Sequence, residues 1–102
     1  MKKLNSNRIK KMHFVGIGGS GMFPLAQIIK SQGFTVSGSD ISDSETLEKV
    51  EKLGIKVHHF HEASNAENAD CVIYSAAINE DNPEIQVAKD KDIPLIRRSE
   101  LM

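Results

Sequence analysis

Cysteine is almost missing from this sequence. Cys71 stands alone among 102 residues, so no internal disulfide can form and the fold must rest on a hydrophobic core. Cys71 sits in the run Cys71-Val-Ile-Tyr74 and reads as a small buried hydrophobe rather than a reactive thiol. No apolar run approaches the roughly 20 residues of a membrane span, and the Lys-rich start leads into a strand pattern instead of a signal peptide. Together with the lone thiol, this points to a cytoplasmic protein with no membrane partner. No G-x-x-x-x-G-K-[ST] phosphate loop occurs, which removes the commonest kind of ATP site. No serine sits in a nucleophile elbow of the type hydrolases need. The chain carries binding features without a reaction centre.

What is present is ordinary for a globular domain: 39% hydrophobic and 26% charged residues. A chain of this length buries roughly 60–70% of its unfolded surface. The net charge of −1 is unevenly spread. Lys2, Lys3, Arg8, Lys10 and Lys11 precede the first acid, and the remainder is acidic. Such an arm can touch nucleic acid, but no aromatic residues interleave with it, so residues 1–10 read as a solvated leader with no nucleic-acid partner, and disorder is expected there.

The stretch Gly16-Ile-Gly-Gly-Ser-Gly21 follows the apolar run Met12-His-Phe-Val15 and precedes a helical pattern. Its G-x-G-x-x-G spacing in a strand–turn–helix context is a phosphate cradle. The first glycine takes the turn, the second lets a ligand approach the backbone, and the third lets the helix pack on the strand. The helix start then offers unpaired N–H groups to an anion.

The first strand is expected from about Lys11 to Ile17, covered on both faces because it shows a run of apolar residues rather than strict alternation. Met22, Leu25, Ala26 and Ile29 then recur at helical spacing, with Pro24 tolerated in the first turn and Gly33 closing the helix. Phe34 to Asp40 reads as a second strand. Ser42 and Glu45 have capping-box spacing, with Ser44 a competing cap, ahead of a helix carrying Leu47, Val50 and Leu53. A third strand is expected near Ile55–His59, a turn or two of helix within His61–Asn68, and a fourth strand at Cys71–Ser75. Asn82-Pro83 starts a further helix, cap and first position in one dipeptide, ending near Lys91. Pro94–Ile96 gives a short fifth strand. Strict alternation of strand and helix predicts an α/β fold: a Rossmann-like three-layer domain over residues 11–102 with a five-stranded parallel sheet.

Ligands of such sheets bind beyond the carboxyl ends of the strands. That rule selects the glycine loop, Ser37–Asp40, His59–Asn65, Ser75–Asn79 and Arg97-Arg98. Asp40 lies about 20 residues past the loop, where an acid can accept from a ribose hydroxyl, or it can help begin the next helix. His58 and His59 should face opposite sides of a strand, which argues against a metal site. His61 lies just past the strand, within reach of a ligand or simply solvated. Arg97 and Arg98 can neutralise phosphate or form an exposed basic edge.

Taken in order, His13-Phe-Val-Gly-Ile-Gly-Gly-Ser-Gly-Met22, Val36-Ser-Gly-Ser-Asp40, Ser75-Ala-Ala-Ile78, Asn82-Pro-Glu84 and Ile93-Pro through Arg97-Arg-Ser-Glu100 resemble the N-terminal domain of the Mur ligases of peptidoglycan synthesis. The resemblance implies the first of three domains, binding the UDP part of UDP-N-acetylmuramate. The ATP-binding and C-terminal domains would follow in the same chain. The whole enzyme would use ATP and Mg2+ to join L-alanine to that substrate, while this stretch would hold no cofactor and no catalytic residue. Carried over by position, Gly18, Gly19, Ser20, Gly21 and Met22 should hold the diphosphate, and Ser39 and Asp40 should lie by the uridine. His61 should contact the ligand, and Ser75, Ala76 and Ile78 should line the uridine pocket. Phe60 and Phe23-Pro24 depart from the family pattern at the pocket edge. The glycine spacing and Asp40 fit an NAD(P)-binding domain of an oxidoreductase or sensor equally well. A purely structural role for the glycines is the third reading.

Overall fold

A strand with apolar side chains on both faces must be covered on both faces, and this requirement places the first strand at the centre of the molecule. A computed structural model of the chain describes residues 9–19, 21–41 and 45–98. Within these, the strands are β1 (Lys11–Val15), β2 (Thr35–Ser39), β3 (Lys56–His58), β4 (Cys71–Tyr74) and β5 (Leu95–Arg97). The helices are α1 (Met22–Ser31), α2 (Glu45–Lys52), α3 (Ala63–Ala66) and α4 (Pro83–Asp90). All strand pairs are parallel, in the order β3-β2-β1-β4-β5. β1 pairs with β2 on one side and β4 on the other, so the strand order reverses beside it. The expected α/β sheet is present, with strand ends one or two residues shorter than the apolar runs suggest. Arg97 lies inside β5 rather than beyond it.

Alternation divides β1 between two layers. Met12 and Phe14 join Val36, Cys71, Ile73 and Ile96 against Met22, Ala26 and Ile29 of α1 and Leu47 and Val50 of α2. Val15 and Val72 pack on the other face against Ala66 of α3 and Ile85 and Ala88 of α4. Phe14, fully buried, contributes on the order of 2–3 kcal/mol by transfer from water. Cys71 is equally buried. Burial, with Asp70 beside it, pushes its thiol up to about 11, so it packs as a hydrophobe.

Ile9, the first described residue, is buried. Asp70 Oδ2 accepts the N–H groups of Lys10 and Lys11 at 3.0 and 2.9 Å, and these bonds hold its carboxyl below the usual range. Residues 1–8 of the leader, and the Ser42 and Ser44 caps, lie outside the described residues. The cap of α4 is as expected: Asn82 Oδ1 accepts from Glu84 N–H at 2.9 Å, with Pro83 next to it.

Candidate functional site

The glycine loop is tied down by backbone hydrogen bonds before any ligand is considered. Gly16 and Ile17 N–H both donate to Ser39 O, at 2.8 and 3.0 Å, which fastens the loop to the end of β2. Ile17 then lies directly over Gly38. A Cβ at Gly38 would fall 2.5 Å from Ile17 Cδ1 and 2.7 Å from its Cβ, so only glycine permits this approach. Gly18 N–H donates to Asp40 Oδ2 at 2.8 Å, Gly19 N–H to Gly16 O at 2.9 Å and Met22 N–H to Gly19 O at 3.1 Å.

Three of the loop donors expected to face a diphosphate are therefore spent inside the loop. What remains for an anion is the N-terminal end of α1, where first-turn N–H groups lack helical partners. Pro24 removes one of these donors, and the first turn carries no acid that would repel an anion. Gly21 precedes α1 with φ of 79°. Its α-carbon is covered by Arg98, whose guanidinium carbon would lie 3.0 Å from a Cβ placed there. The loop thus meets a guanidinium from the far end of the chain. Ser20 lies outside the described residues.

The turn after β4 packs on the other end of the same loop. A Cβ at Gly16 would sit 3.1 Å from Ile78 Cδ1 and 3.4 Å from Ser75 Oγ. Ile78 N–H donates to Ser75 O at 3.1 Å, forming a tight turn, and Ala76 is exposed within it. Ser75 and Ile78 thus lie against the start of the glycine loop and Arg98 against its end, at the β1–β4 reversal where a doubly wound sheet binds ligands.

Beneath the β2 side lies a group that the sequence motifs include without giving it a role. Glu84, in the first turn of α4, is wholly buried. Its Oε1 accepts from His13 Nε2 at 2.5 Å and from Ser39 Oγ at 2.7 Å. Its Oε2 accepts from Asn65 Nδ2 and Glu62 N–H, each at 3.1 Å, and from His61 Nδ1 at 3.3 Å. His13 Nδ1 continues to Ser37 Oγ at 2.8 Å. Burial alone would raise this carboxyl, but hydrogen bonds from His13, Ser39 and Asn65 and the charge His13 can carry bring it down to about 2. A buried carboxylate is tolerable only with its lone pairs satisfied, and here they are.

This network changes the expected roles of several residues. Ser39 is fully buried, its hydroxyl is committed to Glu84 and His61, and its carbonyl holds the loop. It supports the site from below instead of lining it. Asp40 is nearly buried, and its carboxylate anchors Gly18, a role that neither the ribose nor the helix-start reading supplied. His61 stays at the surface edge with 15% of its side chain exposed. His59 is exposed and only 4.0 Å from Glu51, outside the network. Burial, with His13 and Lys56 nearby, holds the His58 imidazole below its ordinary value. His58 lines a groove of about 400 Å³ with Lys11, Thr35, Ser37, Lys56 and Asn68. No described residue of the glycine loop lines that groove.

Glu84 and His13 were legible in principle. Glu84 is one helical turn from Ala88 and next to Ile85, so it falls on the buried face of α4. His13 interrupts an apolar strand on the same face as Ser37 in the adjacent strand.

The fold and its site define a Rossmann-like α/β domain with a glycine loop and a helix start at the reversal of strand order. Residues 11–102 match the Mur ligase family, catalytic domain, and the chain belongs to this family. It is 45% identical over 95 residues to a UDP-N-acetylmuramate--L-alanine ligase of Psychrobacter sp. (strain PRwf-1), covering 93% of this chain and 20% of that protein. It is 44% identical over 95 residues to the protein of that name from Persephonella marina, covering 93% of this chain and 21% of that protein. Among solved structures, the UDP-N-acetylmuramate-alanine ligase of Thermotoga maritima superposes with a TM-score of 0.85 at 41% identity, over 89% of this chain and 21% of that one. The chain thus spans about a fifth of the length of these relatives.

Proposed function

We propose that this domain binds the UDP moiety of UDP-N-acetylmuramate, within a cytoplasmic, ATP-dependent ligase that joins L-alanine to that substrate in peptidoglycan synthesis. The observation that carries the reading is a glycine loop at the strand-order reversal with the Ser75–Ile78 turn packed on its start and Arg98 on its end, at Gly21 before α1. In this reading the diphosphate lies against the α1 N-terminus and Arg98, where N–H groups and a guanidinium offer charge-assisted hydrogen bonds. The small turn Ser75-Ala-Ala-Ile78 and His61 flank the uridine. Gly18, Gly19 and Asp40 give the loop its shape, while Gly21 and Met22 bring it to the ligand, with Ser20 between them in sequence. ATP and Mg2+ would be held by the rest of the enzyme, and residues 1–102 would turn over nothing alone.

The test is a titration of the 102-residue chain with UDP-N-acetylmuramate, followed by amide resonances. Shifts at Gly21, Met22, His61 and Ser75–Ile78 are expected. No shift at millimolar ligand, or a stronger response to NADH, would overturn the reading in favour of a structural or an NAD(P)-binding domain.

A further inference from the structure

The buried carboxylate has a consequence for the one histidine at the edge of the site. Glu84 Oε2, on an ionised carboxylate, can only accept, so His61 Nδ1 at 3.3 Å must carry the proton between them. A second constraint is independent. Ser39 Oγ lies 2.7 Å from Glu84 Oε1 and must spend its only hydrogen there, so toward His61 Nδ1, at 3.0 Å, it too can only accept. Two acceptors therefore face one ring nitrogen. When the ring is neutral, the other nitrogen, Nε2, is left bare.

We propose that Glu84 is a positioning residue that locks His61 in the Nδ1–H form, so that Nε2 is offered as an acceptor to an N–H or O–H donor of the bound nucleotide. The imide N–H of uracil and a ribose hydroxyl both supply this chemistry. A base presenting an acceptor at that point would be rejected, because two lone pairs would face each other in a partly dry site. Of the side chains bonded to Glu84, His61 is the one whose ring nitrogen Nε2 has no part in the network. His13 holds the carboxylate at Oε1, and Asn65 and the Glu62 N–H hold it at Oε2 beside His61.

The proposal rests on the UDP reading, and nitrogen-15 spectra of the histidine rings separate the two. At mildly alkaline pH the unliganded chain should show His61 protonated on Nδ1 and bare on Nε2, and added UDP should move the Nε2 resonance most. Blocking the imide with N3-methyl-UDP or removing a hydroxyl with 2′-deoxy-UDP identifies the donor, whichever analogue loses about tenfold in affinity. Loss with neither analogue overturns the acceptor role. In Glu84→Gln an amide NH2 can face His61, so the ring proton should move to Nε2 and UDP affinity should drop about tenfold. A wild-type ring carrying its proton on Nε2, or a Glu84→Gln ring unchanged from wild type, overturns the proposal even where UDP binds. A ring in the expected form in a chain that binds no UDP overturns the functional reading instead. Should Glu84→Gln fail to fold, the wild-type spectrum and the analogues still decide.

Discussion

On the α1/α2 face of the sheet, β1 contributes Met12 and Phe14 to a layer built almost entirely of aliphatic and aromatic side chains. On the α3/α4 face the same strand contributes His13 and Val15, and only the Val15 half of that layer is apolar. The remainder is His13, Ser37, Ser39 and His61 gathered around Glu84. The first face is held by area removed from water, which is indifferent to pH and tolerant of conservative exchange. The second is held by one ionised carboxylate whose value depends on every partner being present. The polar side is also the side from which His61 emerges, so the chain places its directional, less forgiving interactions beneath the candidate ligand site.

The sharpest way to break this contrast is to truncate one residue on each face. Glu84→Ala leaves the buried His13 Nε2 and Ser39 Oγ without their acceptor and should cost about 3–5 kcal/mol in denaturant unfolding at neutral pH. Phe14→Ala should cost a similar ~3–5 kcal/mol through lost transfer and a cavity. The two then separate on acidification. The folded Glu84 carboxyl lies near 2, below its ordinary 4.5. Its contribution is therefore complete above 4.5 and is lost as the pH falls toward 2, on the order of 3 kcal/mol in all. Phe14→Ala should keep that acid sensitivity and Glu84→Ala should lose most of it.

Smaller effects sharpen the same division. Gly38→Ala pushes a methyl into Ile17, and should cost about 1–3 kcal/mol as overpacking while shifting loop amides in the apo spectrum. Asp40→Asn keeps an oxygen toward Gly18 N–H but gives up the charge, and should cost about 1 kcal/mol, the gap between charged and neutral acceptors. The smallest effect belongs to Cys71. With its thiol raised to about 11 and fully buried, it should resist alkylation in the native protein and react only on unfolding.

The fold was legible because its determinants are local. Apolar runs marked the first and fourth strands, and Met22, Ala26 and Ile29 kept helical spacing. Asn82-Pro83 began α4 where cap chemistry requires. The glycine loop was legible for a similar reason, since its spacing is short and its work is done by backbone. The site's support was not, because it is assembled from afar: His13 and Glu84 are 71 residues apart, and Ser39 and Glu84 are 45 apart. An acid beside Asn-Pro reads as ordinary first-turn charge until the helix face is worked out. Asp40 sat where a ribose ligand is expected, but only the folded loop revealed that Gly18 N–H takes its carboxylate. Arg98 was one of two arginines with no basis for choice until β5 placed it across Gly21.

The central claim is that one ionised carboxylate organises the face beneath the site, and its own titration tests this most directly. The side-chain carboxyl carbon of Glu84, followed by NMR as pH is lowered, should hold its ionised shift well below 4.5 and change only near 2, together with loss of the folded spectrum. A carboxyl that titrates at its ordinary value while the fold and the His61 ring remain unchanged would contradict the account.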